Sequence, residues 1–147
     1  MAGMKVNIQR VDRTMPMPEY QTSGAAAFDI YAREETKILP KQLARIPSNL
    51  IVKTPKGFYL MVTLRSGTPN KKLGLVVPHG VGIIDSDYCG PEDEVLVQVL
   101  NTGDQVLMVE KGERFAQGTF VKIGRARFQE ARGKISQVNR GGFGSTG

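Results

Sequence analysis

Short runs of alternating hydrophobic and polar residues, cut by glycine and proline, make up most of this chain. No segment keeps a 3.6-residue apolar period over roughly ten residues, the length at which an amphipathic helix becomes legible. A first strand is predicted over residues 6–11, after which Pro16 and Pro18 enforce extended backbone. Residues 21–24 form a loop. Residues 25–32, AAAFDIYA, fit two readings: the alanines suit a helix, while Phe28, Ile30 and the short length suit a strand with Asp29 on the opposite face. From Ile38 onward strand follows strand. Residues 43–52 have strand character broken by Pro47, 58–64 (FYLMVTL) give the strongest strand signal, and 73–77 give another. In residues 94–100, Val95, Val97 and Val99 share one face and Leu96, Gln98 and Leu100 the other, which implies a strand buried nearly all round. NTGD at 101–104 is a turn. Strands at 105–109 and 118–123 follow, with 111–117 as their connection. One helical turn is predicted at 68–74, with Thr68 as N-cap, Pro69 as the first helical residue and Gly74 as the stop. Many short strands with glycine and proline turns predict an all-β barrel or a jelly-roll-like sandwich with at most one short helix.

Composition narrows the class. A length of 147 residues suits one domain with a proper core. No apolar stretch approaches the ~20 residues of a membrane span, and MAGMKVNIQR carries no apolar segment that would mark it for secretion. A single cysteine, Cys89, and a single histidine, His79, exclude an internal disulfide and a Cys/His zinc cluster. A cytoplasmic setting is the default expectation, with nuclear or viral origin left open. Lys and Arg outnumber Asp and Glu by 20 to 14, so an anionic partner is expected, a nucleotide or nucleic acid, unless the charge serves solubility alone. Aromatic and basic residues do not interleave on one face, and stable nucleic-acid binding is not expected.

Three stretches offer chemistry. In VPHGVGIIDSDYCG, residues 77–90, Asp85 follows two β-branched residues on a glycine hairpin. It is a general-base candidate, or else it and Asp87 cap turns. Arg65, Ser66 and Gly67 place a guanidinium, a hydroxyl and the first amides of the predicted helix together, which suits a phosphate as well as an ordinary surface turn. The last eight residues, RGGFGSTG, contain four glycines and cannot pack as a core element. They read as an arm at 140–147 following a domain at 1–139. Its free amides, its hydroxyls and Arg140 would cradle phosphate, and the alternative is a plain tail.

Taken in order, these stretches resemble the trimeric dUTPase family. AAFDIYA from Ala26 is similar to the family's first motif, with Ala27 where glycine is usual. LRSG at 64–67 is similar to the second, with Leu64 in place of proline, and GVGIIDSDYCG at 80–90 to the third. GERFAQ at 112–117 is similar to the fourth, and RGGFGSTG to a shortened fifth. His79 stands where the family has asparagine, and the exit from the third motif, Gly90 to Glu94, is longer than usual.

The resemblance implies a distorted β-barrel, a homotrimer with shared sites, and hydrolysis of dUTP to dUMP and pyrophosphate with Mg²⁺. That reaction keeps uracil out of DNA and supplies dUMP for dTMP synthesis. By the same resemblance Asp85 is the base and Gln117 helps hold the attacking water. Arg65, Ser66 and Gly67 contact phosphates, while Asp29 reaches the metal through water. His79, Gly82, Ile83 and Ile84 border the base. Tyr88 packs on the sugar and excludes a 2′-hydroxyl. Arg140, Gly144, Ser145 and Thr146 clamp the outer phosphates, and Phe143 stacks on uracil. Two alternatives remain at this stage. One is a dCTP deaminase, alone or bifunctional, on the same fold, with Glu92 or Glu94 near cytosine. The other is a non-catalytic binding protein.

Overall fold

The computed structural model describes residues 3–145. Strand β6 (Phe58–Leu64) is the axis around which the site is placed. Its aromatic and β-branched residues suit a pleated surface, and alternate positions divide: Leu60 and Val62 are buried, while Met61 and Thr63 lie on the other face. It pairs antiparallel with β11 (Arg114–Lys122) on one side and β8 (Gly82–Ile84) on the other. β2 (Phe28–Tyr31) completes this sheet, in the order β2-β11-β6-β8. A second sheet runs β4-β9-β7, formed by Leu43–Pro47, Leu96–Asn101 and Leu75–Val76. Two antiparallel pairs close the ends: β1 (Asn7–Arg10) with β5 (Leu50–Lys53), and β10 (Leu107–Val109) with β3 (Thr36–Ile38).

The core between these sheets contains Phe28, Ile30, Ile46, Leu60, Val97, Val99 and Phe115, all buried. Each such side chain contributes roughly 1.5–3 kcal/mol through the apolar surface it removes from water. Gly118 permits one close crossing, because a Cβ there would lie 2.6 Å from Phe28 Cζ. Among the described residues the α-helix is one turn, α1 (Thr68–Lys71), and no helix is long and apolar enough to cross a membrane.

The all-β expectation holds, and several details differ. Residues 25–32 contain a strand, yet Asp29 is as buried as its neighbours, at 5% exposure. β11 begins at Arg114, four residues before the predicted start. Buried Phe115 and Ala116 draw this stretch into the sheet, and a β-bulge between Arg114 and Ala116 disguises its alternation. Residues 73–77 shrink to the two-residue β7. Pro47 ends β4, and Asn49, at a φ of 68°, turns the chain into β5. β9 is not buried all round: Val97 and Val99 are enclosed, whereas Leu96 on the opposite face is 43% exposed. Thr68 is the first helical residue and not the cap; Gly67 takes that position, and the Thr68 hydroxyl donates to Phe115 O at 2.8 Å. Gly74, at a φ of 94°, follows the helix, and a Cβ on it would meet Gly103 N at 2.9 Å.

After β11 the Ile123 amide donates to Gly57 O at 2.9 Å, and every described residue from 124 to 145 is exposed. Phe128 and Ile135 are 95% and 94% exposed. The arm boundary expected at Arg140 falls inside this segment.

Asp12 ties the N-terminal segment down. Its backbone exchanges two hydrogen bonds with the Asn49 side chain, and its carboxylate accepts from the Thr14 hydroxyl at 2.6 Å, the Thr14 amide at 2.9 Å and Lys111 Nζ at 3.2 Å. These donors, the Thr14 hydroxyl foremost, lower its pKa from 3.8 to about 2. A depressed carboxyl stabilises the fold above its unfolded pKa and loses that contribution as pH falls through the folded value. The melting-temperature gap between wild type and Asp12→Asn is therefore expected to be widest above about pH 4 and to close toward about pH 2. A gap that stayed constant across thermal melts in that range would show that these donors do not favour the ionised form.

Candidate active site

Register builds the first half of the site. Asp29 on β2 lies opposite Gln117 on β11, which lies opposite Thr63 on β6. Cross-strand partners project from the same face, so the three form one row, and Gln117 Nε2 donates to Thr63 Oγ1 at 3.2 Å. A carboxylate as buried as Asp29 needs paired donors. Arg65, just beyond β6, supplies Nε at 2.8 Å to Oδ1, and Arg114 supplies Nη1 at 3.1 Å to Oδ2.

The same arginine segment hangs on the β11 bulge. The Arg65 amide and the Thr68 hydroxyl both donate to Phe115 O, at 3.3 and 2.8 Å, while Arg65 Nη1 donates to Arg114 O at 3.3 Å. These bonds hold open a cavity of about 310 Å³ bordered by Arg65, Ser66, Gly67, Lys71 and Arg114. Glu113, also on its wall, is paired with Lys72 at 3.0 Å. Three cations, an exposed hydroxyl and exposed backbone around that volume suit a polyphosphate. Arg114 and Lys71 were not singled out in the sequence. Arg114 and Gln117 are three residues apart, which in a regular strand puts them on opposite faces; the bulge brings Arg114 back to Asp29.

The second half lies elsewhere on the chain. Leu60 pairs with Ile84, the last residue of β8, and Asp85 follows it on the side away from Arg65, which lies five positions beyond Leu60 along the β6 direction. That spacing separates the two by about 20 Å. The exposed Asp85 is thus not brought to Arg65, Asp29 or Gln117 within one chain. β8 is an edge strand, and an edge leaves one row of backbone N–H and C=O groups unpaired. His79 Nδ1 lies 2.7 Å from Val81 O. A carbonyl only accepts, so Nδ1 carries a proton and closes the hairpin tip. His79, Gly82, Ile83 and Ile84 border a cavity of about 190 Å³ against Leu96. The Tyr88 hydroxyl donates to Glu94 O at 3.2 Å.

The Glu94 carboxylate accepts from Arg33 Nε at 2.8 Å, Arg33 Nη2 at 2.9 Å and the Asn49 amide at 2.8 Å. The bonds to Glu94 raise the Arg33 pKa above its ordinary value. Both Glu94 oxygens thereby accept bonds from the scaffold.

Arg140, Phe143, Gly144 and Ser145 all lie on the exposed tail. There Gly142 N–H donates to Ser145 Oγ at 2.7 Å, and Gly141, Phe143 and Gly144 have positive φ. Thr146 lies outside the described residues. Among the described residues no three His, Cys, Asp or Glu side chains converge as a metal cage. That donor set fits a cation carried in on phosphates better than one caged by the chain.

A family model described as dUTPase matches residues 13–147. The chain is 39% identical to a deoxyuridine 5'-triphosphate nucleotidohydrolase of Desulfitobacterium hafniense, over 98% of this chain and 95% of the relative. It is 38% identical to the protein of the same name from Chlamydia trachomatis, over 89% and 90%. The crystal structure of dUTPase from Streptococcus mutans superposes with a TM-score of 0.74 at 29% identity, covering 82% of this chain and 98% of that one.

Replacing Asp29 by asparagine leaves two guanidinium groups without their counter-charge. Removing one partner of a fully buried pair costs about 3–5 kcal/mol. Arg65 and Arg114 are 32% and 42% exposed in their side chains, and solvent screening reduces the expected loss for Asp29→Asn to about 1–3 kcal/mol. Urea unfolding measures it; a loss below about 0.5 kcal/mol, the range of ordinary surface substitutions, would show that the pairs do not anchor this end of the sheet.

Proposed function

We propose a reaction path for this chain, which belongs to the dUTPase family: it hydrolyses dUTP to dUMP and pyrophosphate, and Asp85 activates the attacking water. The α-phosphorus accepts the water oxygen, the bond to the bridging oxygen toward the β-phosphorus breaks, pyrophosphate leaves, and the water's proton passes to the Asp85 carboxylate. Gln117 commits Nε2 to Thr63, which leaves Oε1 to accept the water's other proton and aim its lone pair at phosphorus. Arg65, Ser66 and Gly67 hold phosphate oxygens, with Arg114 and Lys71 adding charge to the same cavity. Mg²⁺ carried in on the substrate phosphates would supply charge neutralisation. Each Asp29 oxygen retains a lone pair beyond the one given to a guanidinium, so Asp29 can accept from a water of that ion.

The unpaired edge of Gly82, Ile83 and Ile84 reads the donor and acceptor groups of uracil. His79 braces this hairpin through Val81 O in either charge state, because Nδ1–H is present in both. The Tyr88 ring stands against the sugar and leaves no room for a 2′-hydroxyl. Arg140, Ser145 and Thr146 close on the outer phosphates, and Phe143 covers the uracil.

The observation that carries this reading is the separation of Asp85 from Arg65 by about 20 Å along β6. One chain cannot attack a phosphate held by Arg65 with a water held by Asp85. We therefore read the site as assembled from several copies, in a homotrimer with shared sites. In support, Leu43, Leu100 and Val76 stand side by side across β4, β9 and β7, and Leu43 is 60% exposed in the single chain. Ile83, beside the base, is 61% exposed. An unclaimed apolar row of this kind marks an association surface.

Asp85→Asn is expected to bind dUTP while losing at least about 10²-fold in kcat. Retention of more than about a tenth of wild-type turnover would remove Asp85 from the role of base. A second experiment separates shared from self-contained sites. Asp85→Asn chains refolded together with chains lacking residues 141–147 should recover activity that neither parent has, because some sites draw an intact base and an intact arm from different copies. No gain over the parents would count against sharing.

A further inference from the structure

We propose that Arg33 and Glu94 are positioning residues for sugar selection, acting through Tyr88. This rests on the assignment of Tyr88 as the wall that excludes a 2′-hydroxyl. Tyr88 is 38% exposed, and its ring is not packed into the core. Its side-chain hydrogen bond runs from the hydroxyl to the backbone carbonyl of Glu94, at 3.2 Å. Where that carbonyl stands decides where the ring stands.

Glu94 is fixed from two sides. Its carboxylate takes a two-pronged contact from Arg33, Nε at 2.8 Å and Nη2 at 2.9 Å, and a third bond from the Asn49 amide at 2.8 Å. The Glu94 and Arg33 side chains are only 13% and 22% exposed, so water competes weakly for them. Arg33 is itself anchored, its amide donating to Pro47 O at 2.8 Å. The next residue, Val95, is 1% exposed and exchanges backbone bonds with the segment around Asn49: its amide donates to Leu50 O at 2.8 Å and its carbonyl accepts from Ser48 at 3.1 Å.

The chain between Tyr88 and Glu94 is a closed turn. The Gly90 amide donates to Asp93 Oδ2 at 2.7 Å, and the Asp93 amide donates to Gly90 O at 3.1 Å. Tyr88, this turn and Glu94 thus form a ring of bonds with the Arg33 fork at its base. Excluding one hydroxyl from a sugar demands a wall that does not yield by a fraction of an ångström, and an exposed phenol on a loop lacks that stiffness by itself. The planar guanidinium supplies it, because two parallel bonds fix orientation as well as distance.

The test measures kcat/KM for dUTP and for UTP in wild type, Arg33→Lys, Glu94→Gln and Tyr88→Phe, with melting temperatures alongside. Arg33→Lys keeps the charge and loses the fork. It is expected to lower the dUTP/UTP ratio about 2- to 10-fold, the effect of one hydrogen bond, chiefly through better use of UTP. Tyr88→Phe should lower the ratio comparably. Adding Arg33→Lys to Tyr88→Phe should lower it no further, since both act through one contact. Glu94→Gln, which keeps the side-chain shape, gives the same answer should Arg33→Lys fail to fold. An equal fall in both kcat/KM values with the ratio unchanged would overturn the proposal and leave the network a stabilising one. Tyr88→Ala tests the underlying assignment separately: an unaltered ratio there would remove Tyr88 as the wall, whatever Arg33 does.

Discussion

Asp29 carries a charge that is almost withdrawn from water, and the sheet around it is arranged to answer that charge. Two guanidinium groups reach its two oxygens, one from the end of β6 and one from the start of β11. For Arg114 to arrive there, β11 has to slip by one residue against β2. The bulge that accomplishes this also presents the Phe115 carbonyl, which takes the Arg65 amide and the Thr68 hydroxyl. A cavity lined by cations is the by-product of neutralising one carboxylate. Its cations are held in place before any anion arrives, so little ordering is left for the moment of binding.

The other half of the chemistry is placed by what β8 lacks. It has a partner on one side only, and a row of unpaired backbone groups costs stability in a folded protein unless something else engages them. In the proposed function a uracil edge engages them. The loop that follows is stiffened from outside by the Arg33 and Glu94 pair. In both halves the groups proposed to face substrate are held by neighbours within the fold. On the proposed reaction path, separation of the halves along β6 makes association part of the chemistry, and the apolar row across β4, β9 and β7 is the surface proposed for it.

The strand pattern made much of this legible. FYLMVTL at 58–64 reads as a strand and is one over its whole length. Pro47 divides β4 from β5 as expected, and the glycine hairpin before Asp85 is where the sequence puts it. Where the pattern failed, a named contact explains why. Thr68 looks like a helix cap, but its hydroxyl is claimed by Phe115 O, 47 positions away in sequence. Arg114 looks like a polar residue in a connection because a bulge breaks the two-residue period. Leu96 and Leu100 look like core, yet Leu96 is 43% exposed and Leu100 is only half-buried.

The sequence by itself determined the class of the fold, the short glycine-hinged strands, and the residue types able to hold phosphate and move a proton. Those properties depend on neighbours a few positions apart, which the chain order displays directly. Only the tertiary structure decided that Asp29 is answered by Arg65 and Arg114, that Glu94 belongs to the scaffold, and that Asp85 follows β8 at the end of the sheet away from Arg65. Each of these depends on strand register, and register is set by which long-range pairings bury the most apolar surface while leaving no buried charge unpaired. That balance is struck over the whole barrel at once.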